Sequence, residues 1–185
     1  TEFVTQNPET SAPGMGLLLA TIAEFGVNGW EQYWEDLSTN GVGVTPGWSE
    51  AYYGEFIAGG GDRAIVMSYA SSPVAELLFA DPPVDTPPTA SFTDSCFRSV
   101  EFAGILRGSD NALGAALLVD FLLSPTFQED IPLNMFVFPA NSDAELPPEF
   151  VEWAPLSDAP LSLPPDVIEA NRDAWTERWT EIVLR

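Results

Sequence analysis

Two periods of hydrophobic and polar residues alternate along the first 80 positions of the chain. Short apolar runs typical of strands occur at residues 3–6, 42–45 and 64–69, and the last is nearly continuous, as in a buried parallel strand. Polar turns follow these runs, and apolar residues three and four positions apart then predict helices. This alternation predicts an α/β fold in which helices connect parallel strands.

Serine residues are predicted to begin three of these helices. Ser11 precedes a helix at about residues 12–25, Ser49 is expected to cap a helix, and Ser71-Ser72-Pro73 opens another. Four further helices are predicted: one carrying Trp30, Tyr33, Trp34 and Leu37, one at 112–123 capped by Asp110 or Asn111, a short one from Ser124, and a closing one at about 166–184. Two further strands are predicted, a long one at Cys96–Leu106 and a brief one at Met135–Phe138. Residues 81–93 are predicted to be a proline-rich surface segment, and residues 141–165 to be irregular.

The amino-acid composition is typical of a globular protein and is strongly acidic. The 185 residues are 45% hydrophobic, and 28 acidic residues against six arginines give a net charge of −22. Such a charge argues against binding to nucleic acid or to anionic membranes. The acidic residues are expected to solvate the surface, and the alternative is that they attract a cationic ligand.

Candidate catalytic chemistry is sparse. The chain has no histidine and one cysteine, Cys96, which lies in a predicted apolar strand and is expected to be a packing residue. A histidine-bearing zinc site, a Ser-His-Asp triad and a Cys-His dyad are therefore excluded. No glycine-rich phosphate loop occurs, and no pair of carboxylates stands out by its spacing. We predict no catalytic residue, no metal and no cofactor.

Candidate binding chemistry is concentrated where the predicted strands end. Ligands of open α/β sheets bind beyond the carboxyl ends of the strands. Here these ends carry Thr10 and Ser11, then Trp48 and Ser49, then residues 69–72. Hydroxyls and helix-start amides suit an anionic group, and aromatic side chains suit a flat or cationic ring. The alternative is that all three serine clusters only cap helices.

Several segments then carry a resemblance that spans nearly the whole chain. Asn-Pro-Glu-Thr-Ser-Ala-Pro-Gly-Met-Gly-Leu-Leu-Leu at 7–19 and Gly-Trp-Ser-Glu-Ala-Tyr at 47–52 are the most specific. Further similar segments lie at 68–73, 122–128, 136–140 and 171–175. Together, in order and spacing, they resemble the thiamine-binding proteins of bacterial ABC importers.

This resemblance implies a type 2 periplasmic-binding-protein fold, with two α/β lobes and a ligand cleft between them. Residues 1–98 would form one complete lobe. Residues 99–185 would be the crossover strand and the C-terminal portion of the other lobe, whose N-terminal segment is absent from this sequence. Apolar surface left uncovered by that absence would favour self-association or association with the missing segment.

The resemblance also implies a ligand and a set of contacts. The ligand would be thiamine or a thiamine phosphate, delivered to ABC permease subunits from the periplasm or the extracytoplasmic surface. A contacting tyrosine of the family is replaced here by Ala75, and Phe136 stands where the family has a tryptophan. The implied binding residues are Ser11, Thr10, Trp48, Phe136, Tyr69 and Tyr52.

Three alternatives stay open at this point. The first is a binding protein for another solute: a polyamine, a phosphonate or iron. The second is a thiaminase-like enzyme on the same fold, which would need a reactive nucleophile. The third is an acidic interaction domain without a small-molecule ligand.

Overall fold

The computed structural model describes residues 2–185 and divides the chain into two compact units. The first unit contains the residues up to Tyr69 together with Phe92–Ser99 and Ser157–Arg185. The second contains Ala70–Ser91 and Val100–Leu156. Unit 2 therefore consists of two segments, both of which are inserted within the sequence of unit 1.

Short strands and helices of mixed length make up the described chain. The strands are β1 (Phe3–Gln6), β2 (Gly43–Thr45) and β3 (Ile65–Val66). The α-helices are α1 (Ala12–Phe25), α2 (Trp30–Thr39), α3 (Trp48–Glu50), α4 (Ser72–Leu78), α5 (Ala112–Leu122), α6 (Pro125–Gln128), α7 (Ile131–Met135), α8 (Pro148–Trp153) and α9 (Pro165–Val183). A π-helical turn at Ala51–Glu55 and a 3-10 turn at Ile57–Gly59 follow α3.

The strands form a parallel three-stranded sheet in the order β2-β1-β3. Val4 of the central strand pairs with Gly43 on one side and Val66 on the other. Residues 4–6 are buried, as expected for a central parallel strand. The predicted α/β fold with a parallel sheet is thus confirmed.

Helices α1, α2 and α9 enclose the main hydrophobic core of unit 1. Trp34 and Trp179 meet edge to face, with ring centroids 5.4 Å apart and planes at 81°. The indole of Trp34 donates to the hydroxyl of Thr21 at 3.0 Å, which satisfies this buried donor. The predicted bounds of α1 and α9 hold to within about two residues, and α2 lies where the spacing of Trp30, Tyr33, Trp34 and Leu37 predicts a helix.

Unit 2 is helical and has a smaller core. Val74, Phe150 and Ala154 are the buried side chains of this core. The buried side chain of Gln128 donates to Leu122 O at 2.6 Å and accepts from the backbone N–H of Ala140 at 2.5 Å. The predicted caps at Asn111 and Ser124 are confirmed, since their side chains accept from Gly114 N and Phe127 N.

Two predicted strands are absent from the described chain. Cys96–Leu106 contains only an isolated bridge between Phe97 and Leu161, because no neighbouring strand is available to the rest of the run. Met135–Phe138 is not a strand either: α7 extends to Met135, and Phe136 adopts a left-handed conformation with φ 54° and ψ 37°. Both predictions are wrong for this chain.

The predictions for β3, Ser49 and the segment 141–165 also need correction. The strand predicted at 64–69 is reduced to two residues and is not buried, since it lies at the sheet edge and Ile65 is 43% exposed. Gly47, not Ser49, is the N-cap of α3. The segment predicted to be irregular contains α8, which buries Phe150.

The two compact units do not coincide with the predicted division at residues 98 and 99. Helix α9, expected in the portion 99–185, packs within unit 1 on α2 and α1. The assignment of 1–98 and 99–185 to lobes of a larger fold stays a prediction. Among residues 2–185, no helix has the combined length and apolar character of a membrane crossing.

Candidate ligand-binding site

Hydrogen bonds hold the carboxyl ends of the three strands side by side. Asn7 N donates to Thr45 O at 2.9 Å, which continues the β1–β2 ladder by one residue. Met67 N donates to Val4 O at 2.9 Å, and the buried Gln6 side chain donates to Met67 O at 3.0 Å. The loops that follow the strands therefore start from one edge of the sheet, where α/β folds bind ligands.

Thr10 connects the first of these loops to the second. Its hydroxyl donates to Pro46 O at 2.5 Å, so the loop after β1 is tied to the turn that precedes Trp48. Within the first loop, Asn7 accepts from Glu9 N through its side chain at 2.8 Å and from Ser11 N through its carbonyl at 3.0 Å. These bonds fix the position of Ser11 at the start of α1.

Ser11 begins α1 without using its side chain as a cap. Its backbone is extended, with φ −140° and ψ 128°, and its half-buried hydroxyl makes no cap hydrogen bond. Met15 N donates the first helical bond, to Ser11 O at 2.9 Å. Because Pro13 has no N–H, the amides of Ala12 and Gly14 are the donors that the first turn leaves without a helical acceptor.

A shallow hollow of about 720 Å³ lies beside this helix start, within unit 1. Thr10, Ser11 and Met15 line one side of the hollow, and Arg172 and Arg185 line the other. Arg172 lies 3.3 Å from Asp173, and Arg185 lies 3.7 Å from Glu181. The hollow thus combines hydroxyls with two of the chain's six arginines, each of which has a nearby carboxylate.

Trp48 is the centre of an aromatic cluster that follows β2. Its ring stacks on Tyr52 with centroids 4.7 Å apart and planes at 22°. Tyr69 lies 6.3 Å away with its ring tilted by 48°. The indole N–H of Trp48 donates to the Ser68 hydroxyl at 2.8 Å, which fixes the ring plane.

Exposure distinguishes the members of this cluster. Tyr52 is 3% exposed and stacks on one face of the Trp48 indole, whereas Tyr69 is 49% exposed and Trp48 is half-buried. Trp48 and Tyr69 are therefore the predicted aromatic residues that a ligand can reach. The structure brings Trp48, Tyr52 and Tyr69 together, and Thr10 joins this region to the loop of Ser11 through Pro46.

The sequence analysis missed Tyr53 as a member of the cluster. Its ring meets Trp48 edge to face at 5.4 Å and 84°, and it is 62% exposed. The π-helical turn, closed by Phe56 N donating to Ala51 O at 2.9 Å, presents Tyr52 and Tyr53 together to the indole. A 3.6-residue period carries no sign of a π turn, although such turns are frequent at functional sites.

Phe136 belongs to unit 2 and packs with that unit's core. Its ring lies 6.5 Å from Phe150 and 5.7 Å from Phe79. The hydroxyl of Ser71 donates to Phe136 O at 2.5 Å, which holds the left-handed backbone in place. Its predicted contact with a ligand stays a prediction.

Cys96 is not part of either group of residues. Its thiol is half-buried and contacts Phe92 O at 3.6 Å. Burial, with a smaller contribution from the charge of Asp94, raises the pKa of Cys96, which lowers its thiolate fraction at neutral pH. Within the described residues, no group of histidine, cysteine or carboxylate side chains is arranged to hold a metal ion.

Comparisons with known proteins agree in the kind of protein they find. Residues 2–161 match a family model described as bacterial extracellular solute-binding protein. The chain is 35% identical to a thiamine-binding periplasmic protein of Salmonella typhimurium, over 182 residues. It is 34% identical to a protein of the same description from Escherichia coli, also over 182 residues.

This chain is shorter than its relatives, and a solved structure is similar to it. Each of the two alignments covers 98% of this chain but 53% of the relative, so the chain spans about half the length of these relatives. A solved structure described as a periplasmic thiamin binding protein is similar over 100% of this chain and 55% of its own. The TM-score is 0.73 and the identity 28%.

Proposed function

This chain belongs to the bacterial extracellular solute-binding protein family, and from that membership we propose that it forms part of a thiamine-import binding protein. Its ligand is thiamine or a thiamine phosphate, which it holds outside the cytoplasm and delivers to an ABC permease. The names of the relatives support the ligand and the periplasmic location. Their role as binding proteins supports a function without catalysis.

The aromatic cluster at Trp48 is the observation that carries this proposal. Thiamine contains a quaternary thiazolium ring, and such cations bind to the faces of tryptophan and tyrosine. The indole is already oriented by Ser68 and supported by Tyr52, so little conformational freedom is lost when a ring stacks on it. The net charge of −22 favours the approach of a cation.

The start of α1 supports an anionic group on the same ligand. The Ser11 hydroxyl and the amides of Ala12 and Gly14 can donate to phosphate oxygens, and the helix dipole favours negative charge there. The Thr10–Pro46 hydrogen bond fixes this loop relative to the turn before Trp48. Thiamine phosphate carries its phosphate on a two-carbon arm of the cationic thiazolium ring, and this neighbouring pair of groups matches the pair of subsites.

Saturation-transfer NMR with the 185-residue chain tests the ligand, because it detects binding down to millimolar affinity. Thiamine and thiamine phosphate should each show transfer to the thiazolium protons, and spermidine should not compete. Binding of spermidine with no transfer to either thiamine compound would replace thiamine by a polyamine. Binding of none of the three would refute the proposed function for this chain.

Substitution of Trp48 tests the stacking. Trp48→Ala should weaken thiamine binding by at least about 1 kcal/mol, because the ring face is lost. Trp48→Phe keeps an aromatic face but loses the donor to Ser68, so an intermediate loss is expected. Phe92→Ala removes a ring that is 81% exposed outside the cluster and serves as the control. Unchanged affinity in Trp48→Ala would remove this residue from the site.

A further inference from the structure

Tyr53 is the most exposed residue of the aromatic cluster around Trp48. It is 62% exposed, compared with 49% for Tyr69 and 3% for Tyr52, while Trp48 is half-buried. Because so much of its surface is open to solvent, Tyr53 adds less to the hydrophobic core than its neighbours do. Its ring is therefore accessible to a molecule outside the protein.

Three ring distances determine where Tyr53 lies relative to the stack of Trp48 on Tyr52. The stacked centroids are 4.7 Å apart, and the centroid of Tyr53 lies 5.4 Å from Trp48 and 5.5 Å from Tyr52. A ring over the outer face of Trp48 would be much farther from Tyr52 than from Trp48, so Tyr53 lies beside the stack and leaves that face open. Its plane stands at 84° to the indole and at 77° to Tyr52. At these short distances two ring edges would overlap, so Tyr53 turns a ring face towards the edge of the stack.

The glycine-rich segment that follows the π-helical turn holds the backbone of Tyr53 in place. A Cβ on Gly59 would lie 2.6 Å from the Cα of Tyr53, and it would also meet Tyr52 O. This segment therefore lies directly against the main chain of the turn. The amides of Gly59 and Gly61 both donate to Phe56 O at 3.0 Å. Because the Cα of Tyr53 is fixed by main-chain contacts, ligand binding has to order only its side chain.

We propose that Tyr53 forms a side wall of the thiamine site: the thiazolium ring stacks on the outer face of Trp48, and the face of Tyr53 contacts the edge of that cation. This inference rests on the proposed function and adds a contact residue to it. The positive charge of a thiazolium is shared with the hydrogens at its ring edge, and the negative face of an aromatic ring attracts them. Perpendicular aromatic rings recognise cations in the same way in the aromatic cages that bind quaternary ammonium groups. Tyr53 should therefore favour thiamine over a neutral molecule of the same shape.

Titration of the 185-residue chain and its variants with thiamine, followed by ligand-observed NMR, tests the role of the ring. Tyr53→Leu keeps an apolar side chain but removes the aromatic face, so the affinity for thiamine should fall by about two- to fivefold. Tyr53→Phe keeps the face and should bind thiamine more tightly than Tyr53→Leu does. Ile57→Ala is the control, because Ile57 is 61% exposed on the next turn and carries no ring. Its affinity for thiamine should equal that of the unchanged chain.

A neutral analogue of thiamine separates a contact with the charge from a general effect on packing. The analogue has carbon in place of the quaternary nitrogen of the thiazolium, so its shape is kept and its charge is lost. Tyr53→Leu should change the affinity for this analogue less than it changes the affinity for thiamine. In the complex of the unchanged chain with thiamine, the thiazolium protons should also show nuclear Overhauser effects to the ring protons of Tyr53.

The outcomes distinguish this inference from the proposed function. Equal losses of affinity for thiamine and for the neutral analogue in Tyr53→Leu would overturn the inference, as would an unchanged affinity for thiamine in this variant. Absence of the Overhauser effects from Tyr53 in a complex that does form would overturn it too, and in these three cases thiamine binding itself stands. Failure of the unchanged chain to bind thiamine would refute the proposed function, and this inference with it.

Discussion

At the scale of single residues, Gly14 determines how closely α1 approaches the central strand. A Cβ at this position would lie 2.4 Å from Gln6 O and 2.8 Å from Gln6 C. Both atoms belong to the backbone of β1 and cannot move aside as a flexible side chain could. The absence of a side chain at Gly14 therefore allows the loop of Thr10 and Ser11 to sit against the sheet.

Gly14→Ala should destabilise the protein by about 1–3 kcal/mol, since α1 must shift away from β1 to relieve the clash. The control is Gly16→Ala in the same helix, where nothing lies within 4 Å of the new Cβ. That control should be neutral or stabilising by up to about 1 kcal/mol, because alanine is the better helix former. Urea unfolding monitored by tryptophan fluorescence measures both. Equal stability of the two variants would contradict the close approach.

Cys96 provides a second prediction at this scale. Because burial and Asp94 raise its pKa, the folded thiol should react with iodoacetamide more slowly at pH 8 than the same thiol in the unfolded chain. The rate should continue to rise with pH above the range in which the unfolded thiol levels off. Reaction that is faster in the folded protein would indicate an activated cysteine and revive the enzyme alternative. The unfolded chain in guanidinium chloride is the reference.

At the scale of elements, the packing of α9 on α2 is the main contact of the unit 1 core. Trp179 is fully buried between Trp34 and neighbouring side chains of α1 and α2. On the surface above this contact, Arg178 bridges the helices by donating to Glu31 at 2.7 Å. Because the Arg178–Glu31 ion pair is exposed, the buried tryptophan contact contributes more to the free energy of this packing.

Trp179→Ala should lower the free energy of unfolding by about 3–5 kcal/mol, the range for removal of a buried aromatic side chain. The edge-to-face pair with Trp34 would be lost at the same time, so the near-ultraviolet circular dichroism should change. Leu184→Ala, just after α9 and 48% exposed, is the control and should change stability little. A small effect of Trp179→Ala would place the stability of unit 1 elsewhere.

The elements that could be predicted from the sequence are those that complete their own burial within the chain. The apolar stripes of helices α1 and α9 are both covered in the core of unit 1. Both helices were predicted to within about one residue at each end. The Cys96–Leu106 run has strand composition but no partner strand, so composition alone gave the wrong element. Strand formation depends on a neighbour, which a local pattern does not reveal.

The candidate site also has parts that could be predicted from the sequence and parts that could not. The sequence placed Ser11 and Trp48 at strand ends, and the structure has them there because the parallel register brings those ends to one edge. It did not predict that Tyr52 is buried beneath Trp48, nor that Tyr53 joins the cluster. Both facts depend on the π turn, whose wider helical spacing is invisible to a 3.6-residue pattern.

At the scale of the whole molecule, the acidic surface is expected to oppose folding. Twenty-eight carboxylates face six arginines, so repulsion between unpaired charges is larger in the compact state than in the unfolded one. Salt shortens the range of this repulsion from about 30 Å at 0.01 M to about 3 Å at 1 M ionic strength. Stability should therefore increase with salt over this range.

Thermal unfolding in 10 mM and 1 M NaCl checks this expectation, and the midpoint should rise by several degrees. Sucrose at matched osmolality is the control, because it favours compact states without screening charge. A larger rise in NaCl than in sucrose would identify screening as the cause. A midpoint that falls with NaCl would mean that the ion pairs contribute more than the repulsion between carboxylates.

The interrupted sequence of unit 1 has a consequence for the order of folding during synthesis. The sheet strands, α1 and α2 leave the ribosome well before α9, which covers their tryptophans. All residues of unit 2 are available before that covering helix exists. We therefore expect the nascent chain to expose Trp30 and Trp34 until α9 has been synthesised, which makes the segment of α1 and α2 a natural binding site for chaperones.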